Sequence, residues 1–166
     1  MTADFASLVS QLLNIKITAR RYPDRLTARA ALERGEIDIL GIANNLELST
    51  DSFLTLTEPY VLDQPVLATR IGERRSLEEI PAQGRLAMSD GYQPIDLVQK
   101  YYPTVTIQTH PNSLSGLRAL VTNDADVLLG SALSVQYLIN QNFSKQLKMS
   151  NLSQVETPGF SFGIHK

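Results

Sequence analysis

Six residues recur unchanged at one spacing: Pro23, Leu26, Ala31, Leu32, Asp38 and Leu40 each have an identical partner 88 positions later, at Pro111, Leu114, Ala119, Leu120, Asp126 and Leu128. Gly35 is matched by Asn123, and these are the two residue types that best tolerate the left-handed end of a helix. Upstream, Leu8-Val9 and the Ile15 to Ala19 stretch are echoed by Leu97-Val98 and Val105 to Thr109, with a shift of about one residue. A chain that repeats itself this way is constrained to build two similar units. The reading is two lobes, each assembled as helix, strand, helix, strand.

The elements follow from periodicity. Phe5, Leu8, Val9, Leu12 and Leu13 recur at helical spacing, which predicts a helix from about Ala3 to Leu13 with Thr2 as N-cap. Ile15, Ile17 and Ala19 alternate with polar residues as in a short strand. Leu26 to Arg34 reads as a helix stopped by Gly35, and Ile37 to Ala43 as an apolar strand, parallel and covered on both faces. Pro65 to Arg70 is an extended run expected to carry the chain between lobes. Arg85 to Met88 is a strand, Pro94 opens the first turn of a helix running to about Tyr101, and Ser134 to Ile139 is helical. The alternating tail, Pro158 to His165, is expected to return the chain to the first lobe. The expected division is therefore residues 1–69 with 159–166 as lobe one and 70–158 as lobe two, hinged near Ala68 to Arg70 and Gly159 to Phe162.

Composition narrows the function. The chain has 166 residues, 15 Lys plus Arg against 17 Asp plus Glu, and a formal charge of -2, which gives no concentrated basic face for nucleic acid or an anionic membrane. Its length buries roughly 70% of the unfolded surface, so no metal or disulfide staple is needed. With no Cys and only His110 and His165, thiol nucleophiles, thiolate zinc sites and histidine triads have almost no members to draw on. No run reaches the roughly 18 apolar residues of a membrane span, and no signal core opens the chain. Gly-rich phosphate loops and calcium-loop ligand density are also missing from the sequence. No cofactor, metal or catalytic residue is expected. Asp38 and Asp126 are expected to bind backbone N–H groups at helix–strand junctions.

Ligands of open parallel sheets collect beyond the carboxyl ends of the strands. Here those ends carry Asn44 and Asn45, Ser89 to Gln93, and Ser131, all small or amide-bearing apart from Asp90 and Tyr92. Facing lobes would bring these groups to one cleft, although each also reads as an ordinary helix or turn cap. Tyr92 and Gln93, projecting from a helix N-terminus after Gly91, read as ligand contacts, and equally as a surface turn with an exposed Tyr. The candidate ligand-binding set is Asn44, Asn45, Thr50, Asp63, Gln64, Tyr92, Gln93 and Ser131.

Several motifs together resemble the family 3 extracellular solute-binding proteins, the periplasmic Venus-flytrap type. They are Asp4-Phe5-Ala6, Ala31-Leu32 through Gly35 to Asp38, Phe53 to Tyr60 with Glu58-Pro59-Tyr60, Ser76-Leu77 to Ile80, Leu117-Arg118-Ala119-Leu120 to Asp126, and Gly163 to Lys166. Gly91-Tyr92, Tyr101-Tyr102-Pro103 and Val135 to Ile139 are most similar to the periplasmic domains of BvgS-class hybrid sensor histidine kinases. The resemblance implies a periplasmic-binding-protein-like type II α/β fold, two lobes on a two-strand hinge, with the first strand and the C-terminal helix of lobe one trimmed. Such a trimmed sheet edge would favour a homodimer.

Amino-acid binders of this family hold the ligand carboxylate with an Arg and its ammonium with an Asp. The corresponding positions here fall on Thr50 and Ser131. The resemblance therefore implies a sensor domain taking a small polar solute without those charged anchors, or no ligand, with the membrane reached only through segments outside this chain. A transporter-associated solute-binding protein is the alternative. An enzyme on the same fold would need acid and base groups, for which Glu58 and Asp63 are the only nearby choices.

Overall fold

The structure, a computed structural model, describes residues 2–44, 53–75, 79–152 and 159–166. It divides into two compact units, Met1–Leu62 with Pro158–Lys166, and Asp63–Thr157.

The first unit contains helices α1 (Thr2–Leu13) and α2 (Arg25–Glu33), then strands β1 (Ile39–Ala43), β2 (Leu54–Leu56) and β3 (Val61–Leu62). The last strand of the chain, β9 (Gly159–His165), completes it. β9 pairs antiparallel with β1, β2 and β3, Leu40 and Leu56 both standing opposite Gly163. Leu32, Leu40 and Leu54 form its buried centre, with Ala28, Ile37, Phe53 and Leu56 packed around them. Tyr60 ties α1 to this sheet: its ring lies 4.9 Å from those of Phe5 and Phe162, and its hydroxyl donates to the Gly41 carbonyl at 2.7 Å.

The second unit runs β4 (Pro65–Arg70), α3 (Glu79–Gln83), β5 (Arg85–Ser89), α4 (Ile95–Tyr101), β6 (Thr106–His110), α5 (Ser113–Val121), β7 (Val127–Ser131), α6 (Ala132–Leu138) and β8 (Leu147–Asn151). A π-helical turn, Ile139–Phe143, extends α6. The sheet order is β6-β5-β7-β4-β8, with β5 parallel to β6 and β7, and β4 antiparallel to β7 and β8. Side chains alternate across the pleat. Val66, Ala68, Ala87 and Leu128 pack with Leu117, Leu120, Val135 and Ile139 on one face. Leu67, Leu86, Met88, Val127 and Leu129 pack with Ile80 and Val98 on the other. Strands covered twice must be apolar at every position, and β7 is buried along its whole length.

The 88-residue repeat is a repeat of structure. α2 and α5 begin and end at matching positions, as do β1 and β7. Asp24 caps α2 through the Thr27 N–H, and Asn112 caps α5 through the Ser115 N–H. Gly35 has φ 70° and Asn123 has φ 62°, the left-handed stop that both residues suit.

Four sequence expectations are corrected. β1 is not a parallel strand covered on both faces: it pairs antiparallel with β9, and Ile39 and Ile42 are exposed, because no strand lies along its other edge among the described residues. Ile15 to Ala19 forms no strand, and Ile15 and Ile17 are exposed, since an extended segment needs a neighbour to pair with. Pro65 to Arg70 is no free passage but an interior strand of the second sheet, paired along both edges. Accordingly Ala68 to Arg70 are sheet residues of the second unit and Gly159 to Phe162 sheet residues of the first. Pro94 is the N-cap of α4 and not its first turn, with the Leu97 and Val98 N–H groups donating to its carbonyl. Residues 76–78 of the Ser76-Leu77 to Ile80 motif lie outside the described residues.

Candidate functional site

Three chain segments of the second unit meet at one end of its sheet. β4 and β7 align so that Pro65 stands opposite Ser131, and the Ala132 N–H donates to the Gln64 carbonyl at 2.9 Å. This places Asp63, just ahead of β4, beside Ser131 at the carboxyl end of β7. β5 supplies the third segment. After Ser89 the chain turns at Gly91, whose φ of 69° suits a residue without a Cβ, and the Tyr92 N–H donates to the Ser89 carbonyl at 3.0 Å.

That turn directs Tyr92 inward. Its ring belongs to the core with Leu67, Met88 and Leu129, and its hydroxyl donates to Asp63 Oδ2 at 2.8 Å. The reading of this segment as a surface turn with an exposed Tyr is thereby corrected: the Tyr92 ring is bulky and apolar, and the sheet offers it a covered place with an acceptor for its polar tip. Burial, reinforced by the neighbouring Asp63 charge, raises the Tyr92 pKa, so it remains a neutral donor.

Asp63 is fully buried. Burial pushes its carboxyl pKa up, while the hydroxyls of Ser131 and Tyr92 and the Gln64 N–H work in the opposite direction. Ser131 lies close enough to Asp63 for that influence, yet its Oγ makes no hydrogen bond of regular geometry. Asp63 Oδ1 and Gln93 Nε2 are likewise buried without a partner. Gln93 is 4% exposed and Ser131 5%. Buried polar atoms are almost always paired, so Asp63 Oδ1 beside Ser131 Oγ, neither with a partner of regular geometry, singles this corner out.

Of the sequence candidates, the structure brings together Asp63, Tyr92 and Ser131, with Gln64 contributing backbone groups while its side chain is exposed and Gln93 buried next to Tyr92 in the chain. Asn44 follows β1 in the first unit, buried and with a partner of its own. Asn45 and Thr50 lie outside the described residues. The pairing of Asp63 with Tyr92 spans 29 positions, and no local pattern in the sequence announces it. Ser89 and Ser113, whose hydroxyls are 3.0 Å apart beside the same loop, were not singled out as a pair.

The opposite end of the sheet is structural. Asp126 accepts from the Arg85 N–H at 2.9 Å and from its guanidinium at 3.1 Å, the helix–strand junction role expected of it. Arg70 donates to the Leu120 and Ala125 carbonyls, both at 2.8 Å. Among the described residues no cluster of three His, Cys, Asp or Glu side chains is arranged to hold a metal, and no helix is long and apolar enough to cross a membrane.

Open α/β sheets flanked by helices, with a polar corner at the strand ends, are the fold of periplasmic-binding-protein-like Venus-flytrap domains. Solved structures show the likeness. A double mutant of the Bordetella pertussis BvgS VFT2 domain superimposes with TM-score 0.89 at 20% identity, over 99% of this chain and 70% of that one. An ancestral arginine-binding protein bound to glutamine gives TM-score 0.83 at 16% identity, over 99% of this chain and 73% of that one. No protein-family model matches the chain. Direct relatives do: the virulence sensor protein BvgS of Bordetella bronchiseptica is 36% identical over 164 residues. The match takes in 99% of this chain but only 13% of that relative's length. The crystal structure of the B. pertussis BvgS periplasmic domain is 32% identical with TM-score 0.77, over 98% of this chain and 32% of that one. The chain is homologous to the periplasmic Venus-flytrap domain of BvgS, and its location is periplasmic.

Proposed function

We propose that the chain is the ligand-sensing domain of a membrane-bound sensor histidine kinase and that it takes a small polar solute. The observation that carries this reading is the corner of the second unit where Asp63 Oδ1 and Ser131 Oγ are buried side by side without partners of regular geometry. Polar atoms withdrawn from water at a cost are of use to a ligand that pairs with them. In this reading the bound solute shifts a conformational equilibrium that the intact protein passes across the membrane. The domain itself carries out no chemistry.

A melting screen of the purified chain against amino acids, amides, amines and small aromatic and dicarboxylic acids tests the proposal. At least one solute is expected to raise the melting temperature, and Ser131→Ala and Gln93→Ala are each expected to weaken that solute about tenfold, the cost of one lost polar contact. A hit indifferent to both variants would remove this corner from the site. A second reading, a binding protein that serves a transporter, is supported by the fold shared with the arginine-binding protein. The coding sequence flanking this chain separates the two.

A further inference from the structure

The carboxylates of the second unit are treated unequally. Asp126 and Glu73 face Arg85, Arg75 and Arg70. Asp63, more deeply buried than either, has no cationic side chain beside it among the described residues of its unit. A buried ionised carboxylate without a counter-charge is strongly unfavourable unless something else compensates it.

The Tyr92 hydroxyl occupies Oδ2 and so fixes the orientation of the group, leaving Oδ1 unpaired. The Ser131 Oγ next to it, also without a partner of regular geometry, is a second acceptor. Two acceptors, one of them charged, suit an N–H-bearing cation. Among the described residues of this unit no Lys or Arg side chain bonds to Asp63 or Ser131, so a ligand carboxylate would face the Asp63 charge without a cation to offset it.

We propose that Asp63 receives the cationic nitrogen of a small amine or amidine that carries no carboxylate, with Ser131 sharing its N–H groups. The ligand supplies the counter-charge that the fold omits, and Tyr92 acts as a positioning residue that holds the carboxylate for it. This rests on the reading of the corner as a solute site and specifies what that site takes.

The probes are n-butylammonium and 1,4-diaminobutane, compared at neutral pH with 1-butanol, butyrate and 4-aminobutyrate, by melting curves and calorimetric titration of the whole chain. Both amines are expected to raise the melting temperature, with the alcohol and butyrate inert and the zwitterion weaker. Asp63→Asn keeps the shape and the Tyr92 contact, and it is expected to weaken the amines at least about tenfold, as loss of a charge-assisted hydrogen bond does. If that variant does not fold, Ser131→Ala takes its place, with amine affinity falling at least about threefold while its circular dichroism matches the parent. Amines that bind Asp63→Asn as tightly as the parent would overturn the inference. So would uncharged or anionic solutes that stabilise the parent while amines do not, an outcome that leaves the solute-binding proposal standing. A chain that responds to no solute in either panel loses both.

Discussion

Two acidic residues of the second unit illustrate how burial and partners set opposite signs. At Asp126, partial burial works to raise the pKa, but the hydrogen bonds from the Arg85 side chain and backbone, with the Arg75 charge, bring it down to about 2. Arg75 holds Glu73 at about 2 as well. Their stabilisation is present above the unfolded-chain values near 4 and is lost as pH falls from about 4 towards 2. Asp63 acts the other way, because a raised pKa favours the folded state at low pH and costs stability as pH rises through the folded value. Acid denaturation followed by circular dichroism is therefore expected to be shallower in Asp126→Asn, which is predicted to lose on the order of 1 kcal/mol at neutral pH after solvent screening. Equal slopes for parent and variant between pH 4 and 2 would show that the Arg85 bonds do not hold the carboxylate ionised. The chemistry of these residues was only partly legible in the sequence. Asp126 could be assigned from its place between a helix and an apolar strand, whereas Asp63 depends on a tyrosine that reaches it from a different strand end.

Helix and strand packing in the second unit is set by close approach at Gly116. A Cβ there would fall 2.5 Å from Leu128 Cδ1, so the buried Leu128 side chain would have to move for α5 to keep its place on β7. Gly116→Ala is predicted to destabilise by about 1–3 kcal/mol through overpacking, against roughly 1 kcal/mol of helix propensity gained. A melting temperature unchanged or raised by the substitution would mean that α5 shifts freely. The two copies of the repeated element also show what periodicity can and cannot convey. The caps Asp24 and Asn112 were not anticipated, whereas the left-handed stops at Gly35 and Asn123 and the end of the helix before Gly35 were visible because each depends on neighbouring residues. Burial was not. β7 lies between β5 and β4 and is covered throughout, while β1, with the same apolar character, has β9 on one side and exposes Ile39 and Ile42. α1 has the amphipathic spacing of a packed helix, yet none of its residues is fully buried, and Leu8, Leu12 and Leu13 are at least half exposed.

At the scale of the molecule, the division of the chain carries a prediction about folding. The second unit is contiguous, Asp63–Thr157, and holds two apolar clusters on opposite faces of a five-stranded sheet. The first unit is interrupted, closing only when β9 returns, and its buried centre is the three leucines. A polypeptide spanning 63–157 is expected to fold alone, with a cooperative thermal transition and native near-ultraviolet dichroism. A non-cooperative melt of that fragment would show that its core needs the remainder of the chain. The sequence by itself determined that one helix–strand unit is repeated 88 positions apart, with its left-handed stops, and that metal, thiol and phosphate-loop chemistry have few residues to use. Those properties depend on local spacing and composition. Only the tertiary structure decided which strand has a neighbour, that Tyr92 points inward, and that Asp63 is left without a counter-charge, because each depends on residues brought together from distant parts of the chain.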